Sequence, residues 1–112
     1  MVNTDFHFGA IIKMDFTPQA GHEQAGWRPA IIISSDMLNR HSNMIMVCPI
    51  THTNRINPFH IEVKGTEKTD GFILCEQAKM TDVYARGAEF IEDAPKEIAQ
   101  EARTIVKQFL ED

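Results

Sequence analysis

Up to residue 94, no apolar run in this 112-residue chain is both long enough and correctly spaced for a helix of more than a turn or two. That feature constrains the fold more than any other. The runs "FGAIIKMDF", "RPAIIIS", "MIMVCPIT", "FHIEV" and "GFILC" are five to nine residues long and rich in β-branched or aromatic side chains. Glycine, proline or polar clusters bound them, as expected of strands and turns. "RPAIIIS" is continuously apolar and fits a strand buried on both faces. In "NPFHIEVKG", Phe59, Ile61 and Val63 alternate with His60, Glu62 and Lys64, the pattern of a half-solvated strand. "SSDMLNRHSN" offers Ser and Asp caps for a short helical turn, and "ARGAEFIE" is one more strand. Pro49 lacks a backbone donor and predicts a bulge or bend in its strand, and Asp70-Gly71 predicts a turn before "FILC".

Only after Pro95 does the period change. Ile98, Ala102, Ile105, Val106, Phe109 and Leu110 recur at helical spacing. The expectation is a mainly β chain with a C-terminal helix: five or six short strands forming a small barrel or bent sheet, with the helix packed over its side or end. Residues 1–112 suit a single domain, with no repeat, low-complexity tract or linker.

Cys48 and Cys75 each sit inside an apolar run and read as small hydrophobes, although pairing across neighbouring strands stays open. The N-terminus has no signal-peptide pattern, and no run approaches the ~20 apolar residues needed to span a bilayer, so the expected location is cytoplasmic, with no membrane partner. Net charge is -5, which by itself argues against nucleic acid. The acids are concentrated at one end, however: residues 89–112 hold seven acids and three bases, whereas residues 22–60 hold three arginines, four histidines and two acids. The body of the chain can therefore present a locally favourable face to an anion.

No Walker loop, G-x-S-x-G, H-E-x-x-H or metal-spaced cysteine or histidine pair occurs, so neither a cofactor nor a metal is expected. What remains is a set of polar residues at strand ends, where a rigid scaffold can hold a group against a ligand. Arg28 leaves the glycine-flanked stretch "GHEQAGWRP" at the start of a buried strand, and its fork suits two parallel hydrogen bonds to a phosphate or, equally, pairing with a carboxylate such as Glu23. Thr51 follows Pro49, and Gln77 and Lys79 follow "FILCE". His22 is an alternative general base because imidazole titrates near neutrality.

The segments "DFTPQAGHEQAGWRPAIIIS", "VCPITHT", "PFHIEV", "DGFILCEQAK" and "ARGAEF" resemble, in order and spacing, the MazF/PemK family of mRNA-cleaving toxins from bacterial toxin–antitoxin systems. The resemblance runs from about Gly9 to the C-terminal helix. It implies a small SH3-like β-barrel of the CcdB/PemK kind, a homodimer, and single-stranded RNA bound in a groove spanning the dimer interface. It also implies a cognate MazE-like antitoxin whose disordered acidic segment fills that groove. Arg28 matches the family's catalytic arginine and Thr51 its catalytic threonine; Glu23 and Gln77 match positions lining the RNA groove, and Lys79 and Arg86 match basic positions near it. Lys13, Thr17 and the pair Val83-Tyr84 depart from the common pattern, which bears on base specificity and antitoxin pairing. The reaction implied is metal-independent and ribosome-independent, leaving 2′,3′-cyclic phosphate and 5′-hydroxyl ends. Two other readings belong to different classes: a CcdB-like gyrase-binding toxin without RNase activity, and a simple SH3-like peptide-binding module.

Overall fold

The computed structural model describes residues 5–17, 21, 25–53 and 56–111. In chain order the elements are β1 (Ala10–Asp15), β2 (Trp27–Ile32), α1 (Asp36–His41), β3 (Met44–Thr51), β4 (His60–Glu62), β5 (Phe72–Leu74), a 3-10 turn (Cys75–Gln77), β6 (Lys79–Asp82), β7 (Glu89–Asp93) and α2 (Lys96–Gln108). The strands form one antiparallel sheet in the order β4-β5-β3-β2-β1-β7, with β6 also pairing β3. Among the described residues β4 and β7 end the sheet without pairing to each other, so the expected barrel is a curled, open one.

β3 explains the larger of two departures from the expected strand pattern. Its first half, Met44 to Val47, pairs with β6, whereas Ile50 and Thr51 pair with β5. The two registers differ by three residues, the length of the 3-10 turn that separates β5 from β6. Sequence pattern gives a strand at "FILC" and places Gln77 and Lys79 after its end; the structure adds a second strand, β6, that begins at Lys79. The jog between the two falls beside Cys48 and Pro49, and Pro49 has no N–H to continue a ladder. The bend expected at Pro49 is present in this form. The "ARGAEFIE" strand likewise begins later than expected: residues 83–87 are a turn, and the strand is Glu89–Asp93.

Each face of the sheet carries a separate core. Ile11, Ile31, Cys48, Ile50, Ile61 and Ile73 face α2 and pack on its Ala99, Ala102 and Val106. On the other face, Ile12, Met14, Phe16, Ala30, Ile32, Ile45 and Val47 pack with Phe6 and Val83 from the flanking segments. Two buried faces account for the unbroken apolar run of β2. Pro95 caps α2, and Arg103 anchors it to the sheet by stacking on the Phe8 ring at 3.5 Å and donating Nε–H to the Ile33 carbonyl at 3.0 Å. Phe109 and Leu110, expected on the helix's apolar face, lie past its end and are exposed; Phe109 packs edge-on against Phe59 at 5.0 Å.

Candidate functional site

Strand register brings the two central residues together. β2 and β3 pair at Ala30–Pro49, Ile31–Cys48 and Ile32–Val47. Continued by two residues toward the end of the sheet, that register sets Arg28 opposite Thr51. Side chains alternate along a strand, so Arg28 follows Ala30 and Ile32, and Thr51 follows Ile45 and Val47, onto the face turned away from α2. On its other side Arg28 is opposite Met14 of β1, a member of that same core. Its Nε–H donates to the Ala25 carbonyl at 2.6 Å, which fixes the base of the guanidinium against the chain entering β2.

Thr51 is held from two sides. It is buried, and its Oγ1 accepts the Thr53 amide at 3.3 Å. Gly71 lies against its carbonyl: a Cβ built on Gly71, whose φ is +116°, would stand 2.4 Å from the Thr51 oxygen. Only glycine permits this approach. The Asp70-Gly71 turn expected from sequence therefore clamps the end of β3 as well as starting β5.

Lys79 pairs with Val47, on the same face as Arg28 and Thr51, and its ammonium lies over the Phe16 ring at 5.2 Å. Gln77 ends the 3-10 turn, half-buried, two residues before Lys79. Arg86 comes from the turn at 83–87. Its Nη1 donates to the carbonyls of Asp15, at 3.3 Å, and Thr17, so its charge braces the segment that leaves β1. Asp15 braces the same segment, its Oδ1 accepting the Thr17 amide at 2.9 Å and the Thr17 hydroxyl at 2.5 Å. These two bonds, the hydroxyl's the stronger, hold the Asp15 carboxyl below its ordinary pKa, against slight desolvation and with some help from Arg86. Glu23 and His22 lie outside the described residues.

Pattern reading missed the lip behind Thr51. His52 Nε2 pairs with Asp70 Oδ1 at 2.6 Å. Together with Lys13, Pro29, Lys68, Thr69 and Ile91 they line a cavity of about 180 Å³. The separation of 18 residues between His52 and Asp70 carries no periodic signal; only the closure of the 63–71 turn onto β3 creates the pair. Among the described residues no three His, Cys, Asp or Glu side chains are grouped to hold a metal ion. No helix among them is long and apolar enough to cross a membrane.

The β2–β3 and β3–β6 registers thus set Arg28, Thr51 and Lys79 on one face of a curled sheet. Residues 7–110 match the family described as PemK-like, MazF-like toxin of type II toxin–antitoxin system. The chain belongs to that family. It is 40% identical over 80 residues, 71% of each chain, to the endoribonuclease toxin MazF of Escherichia coli K12. It is also 32% identical over 102 residues to the Escherichia coli endoribonuclease PemK, covering 88% of this chain and 77% of that one. Among solved structures, MazF of Deinococcus radiodurans superposes with a TM-score of 0.86 at 31% identity, over 93% of this chain and 94% of that one. A MazE–MazF complex from the same organism superposes with a TM-score of 0.82 at 30% identity, over 96% and 97%. The mainly β fold with a C-terminal helix is thus the MazF fold, as the sequence segments implied.

Proposed function

We propose that the chain is the toxin of a type II toxin–antitoxin pair and a sequence-specific endoribonuclease that cuts single-stranded mRNA without a ribosome or a metal ion. The observation that carries this reading is the β2–β3 register, whose continuation past Ala30–Pro49 brings Arg28 and Thr51 to one face. A ribose 2′-hydroxyl attacks the adjacent phosphorus and gives up its proton; the bond from phosphorus to the 5′-oxygen breaks, and that oxygen takes up a proton. The products carry 2′,3′-cyclic phosphate and 5′-hydroxyl ends.

Negative charge grows on the non-bridging oxygens in the transition state. A guanidinium already fixed through its Nε is worth most there, on the order of 3–4 kcal/mol by analogy with a lost oxyanion donor. Arg28 is the electrostatic clamp, and Thr51 donates its hydroxyl to the same phosphate and fixes its orientation. Lys79 and Gln77 line the path of the strand beside it, and Glu23 contributes a further contact to RNA. Arg86 serves binding by bracing residues 15–17, where the chain leaves β1. In-line attack needs a splayed nucleotide, which an A-form duplex does not readily supply, hence the preference for single strands.

The working unit is a homodimer, and an acidic, disordered segment of a MazE-like antitoxin competes with RNA for the cationic face. The complexes of the Deinococcus radiodurans relative with MazE support such a partner. The test is incubation of long single-stranded RNA with the purified protein in excess EDTA, followed by mapping of the cuts and their ends. Cleavage at one short motif with cyclic phosphate ends is expected, and Arg28→Ala is expected to slow it about 10²–10³-fold while remaining folded. Intact RNA across diverse sequences would overturn the reading in favour of a topoisomerase-binding toxin.

A further inference from the structure

Two thiols lie beneath the site and take no part in the chemistry above. Cys48 and Cys75 are both completely buried, both reduced, and both belong to the core that faces α2. The β3–β5 ladder pairs Thr51 with Phe72 and Ile50 with Ile73. Continued by two residues, it sets Cys48 directly opposite Cys75. Opposed residues of an antiparallel pair have Cα atoms about 4.5–5.5 Å apart, inside the range that a disulfide spans. The neighbouring Cys75 thiol, together with burial, pushes the Cys48 thiol far up from its ordinary pKa.

Their position gives the pair its importance. Cys48 is the last β3 residue before Pro49, where β3 leaves its ladder with β6 and takes up the one with β5. Cys75 opens the 3-10 turn that accommodates the change of register and leads to Gln77 and Lys79. Three residues past Cys48 is Thr51. A covalent bond here would tie the end of β3 that carries Thr51 to the turn that leads to Gln77 and Lys79.

We propose that Cys48 and Cys75 are a reversible disulfide site, closed by a small disulfide oxidant, and that the bridge locks the end of β3 to the 3-10 turn, so that Thr51 can no longer adjust to a bound phosphate, and lowers cleavage. The regulatory half of this proposal rests on the endoribonuclease reading; the disulfide half does not. One cysteine, as thiolate, attacks the oxidant's disulfide and expels one thiolate. The second cysteine then attacks the mixed disulfide and releases the other half of the oxidant. Two cysteine protons end on the two thiols of the reduced oxidant, and two electrons pass to it. Access comes by opening of β4 and β5, which are three residues each and lie at the sheet's end, where local unfolding costs least. Because thiolate formation is required, the rate should rise with pH.

The experiment treats the folded protein with oxidised glutathione, then alkylates, maps peptides by mass spectrometry, and measures RNA cleavage before and after dithiothreitol. A 48–75 crosslinked peptide, a cleavage rate lowered at least tenfold, and full recovery on reduction are the expected results. Cys75→Ala, and Cys48→Val in case the first variant folds poorly, should cleave RNA at the parent rate and ignore the oxidant. A folded protein that yields no intramolecular crosslink overturns the disulfide site itself, whether or not the protein cleaves RNA. A crosslinked protein that cleaves at the parent rate overturns the regulatory claim. If neither redox form cleaves RNA, the endoribonuclease reading fails, and the peptide map still decides the crosslink.

Discussion

Thr51 carries more structural load than a surface hydroxyl would, since it is buried and its backbone is pressed by Gly71. If its role is to donate a hydrogen bond to the phosphate, Thr51→Ser should keep most activity, because it retains the hydroxyl. Thr51→Val keeps the shape but loses the donor, and should slow cleavage by roughly tenfold or more, the equivalent of about 1.4 kcal/mol. Single-turnover cleavage of one RNA reads the difference; equal activity of the two variants would remove Thr51 from the chemistry. At this scale the sequence was informative about residue type and position but silent about partners. Arg28 and Thr51 could be singled out as strand-end residues, but that they fall on one face follows only from the β2–β3 register, which no pattern within either strand records. Arg86 could be recognised as a basic residue near the site, but its bonds to the Asp15 and Thr17 carbonyls, 71 and 69 residues away, depend on the closed turn at 83–87 and leave no local pattern.

The elements that position the site are short, so single backbone contacts matter. Gly71→Ala would bring a methyl to 2.4 Å from the Thr51 carbonyl at a φ that L side chains rarely adopt. The backbone conformation alone costs on the order of 1–3 kcal/mol. The end of β3 must then move, so thermal stability and cleavage should fall together; a variant that melts and cleaves like the parent would show that the Gly71 contact does not position Thr51. At the far end of β1, the segment that leaves the strand depends on Asp15. Its folded-state pKa is depressed, so the stability it lends the 15–17 segment is complete above the ordinary carboxylate range and is lost as pH falls through the lowered value. An NMR titration should show the Thr17 amide shifting with a midpoint below that of an unperturbed aspartate, and Asp15→Asn should abolish the shift. An ordinary midpoint would mean that the Thr17 bonds do not hold in solution. Strand and helix placement was legible because burial imposes a period. The split of residues 72–82 was not, because it arises from a three-residue register change against β3, which no pattern within the segment records.

At the scale of the whole molecule, the excess of acid at the C-terminal end concealed a body able to meet an anion, and net charge alone would have misdirected the reading. The proposed dimer has a physical motive in the β3–β6 ladder. Met46 pairs with Met80, and Met44 lies two residues along β3, so these three methionines share one face of the ladder. Met44 and Met80 are 44% and 43% exposed, which leaves a contiguous apolar surface of flexible side chains for a second copy to cover. In a two-fold interface each substitution acts twice, so one charge placed there meets its own copy or desolvates against the partner. Met80→Glu is therefore expected to weaken self-association at least tenfold in sedimentation velocity across a dilution series. Because Met80 is exposed in the single chain, the monomer's fold should survive, with little change in its circular dichroism. If RNA spans two copies, cleavage at low protein concentration should fall with the dimer fraction and recover as concentration rises, which separates loss of assembly from damage to Arg28 and Thr51. A variant that stays dimeric would move the interface elsewhere, and a parent protein that is monomeric at every concentration would remove the groove between copies from the mechanism.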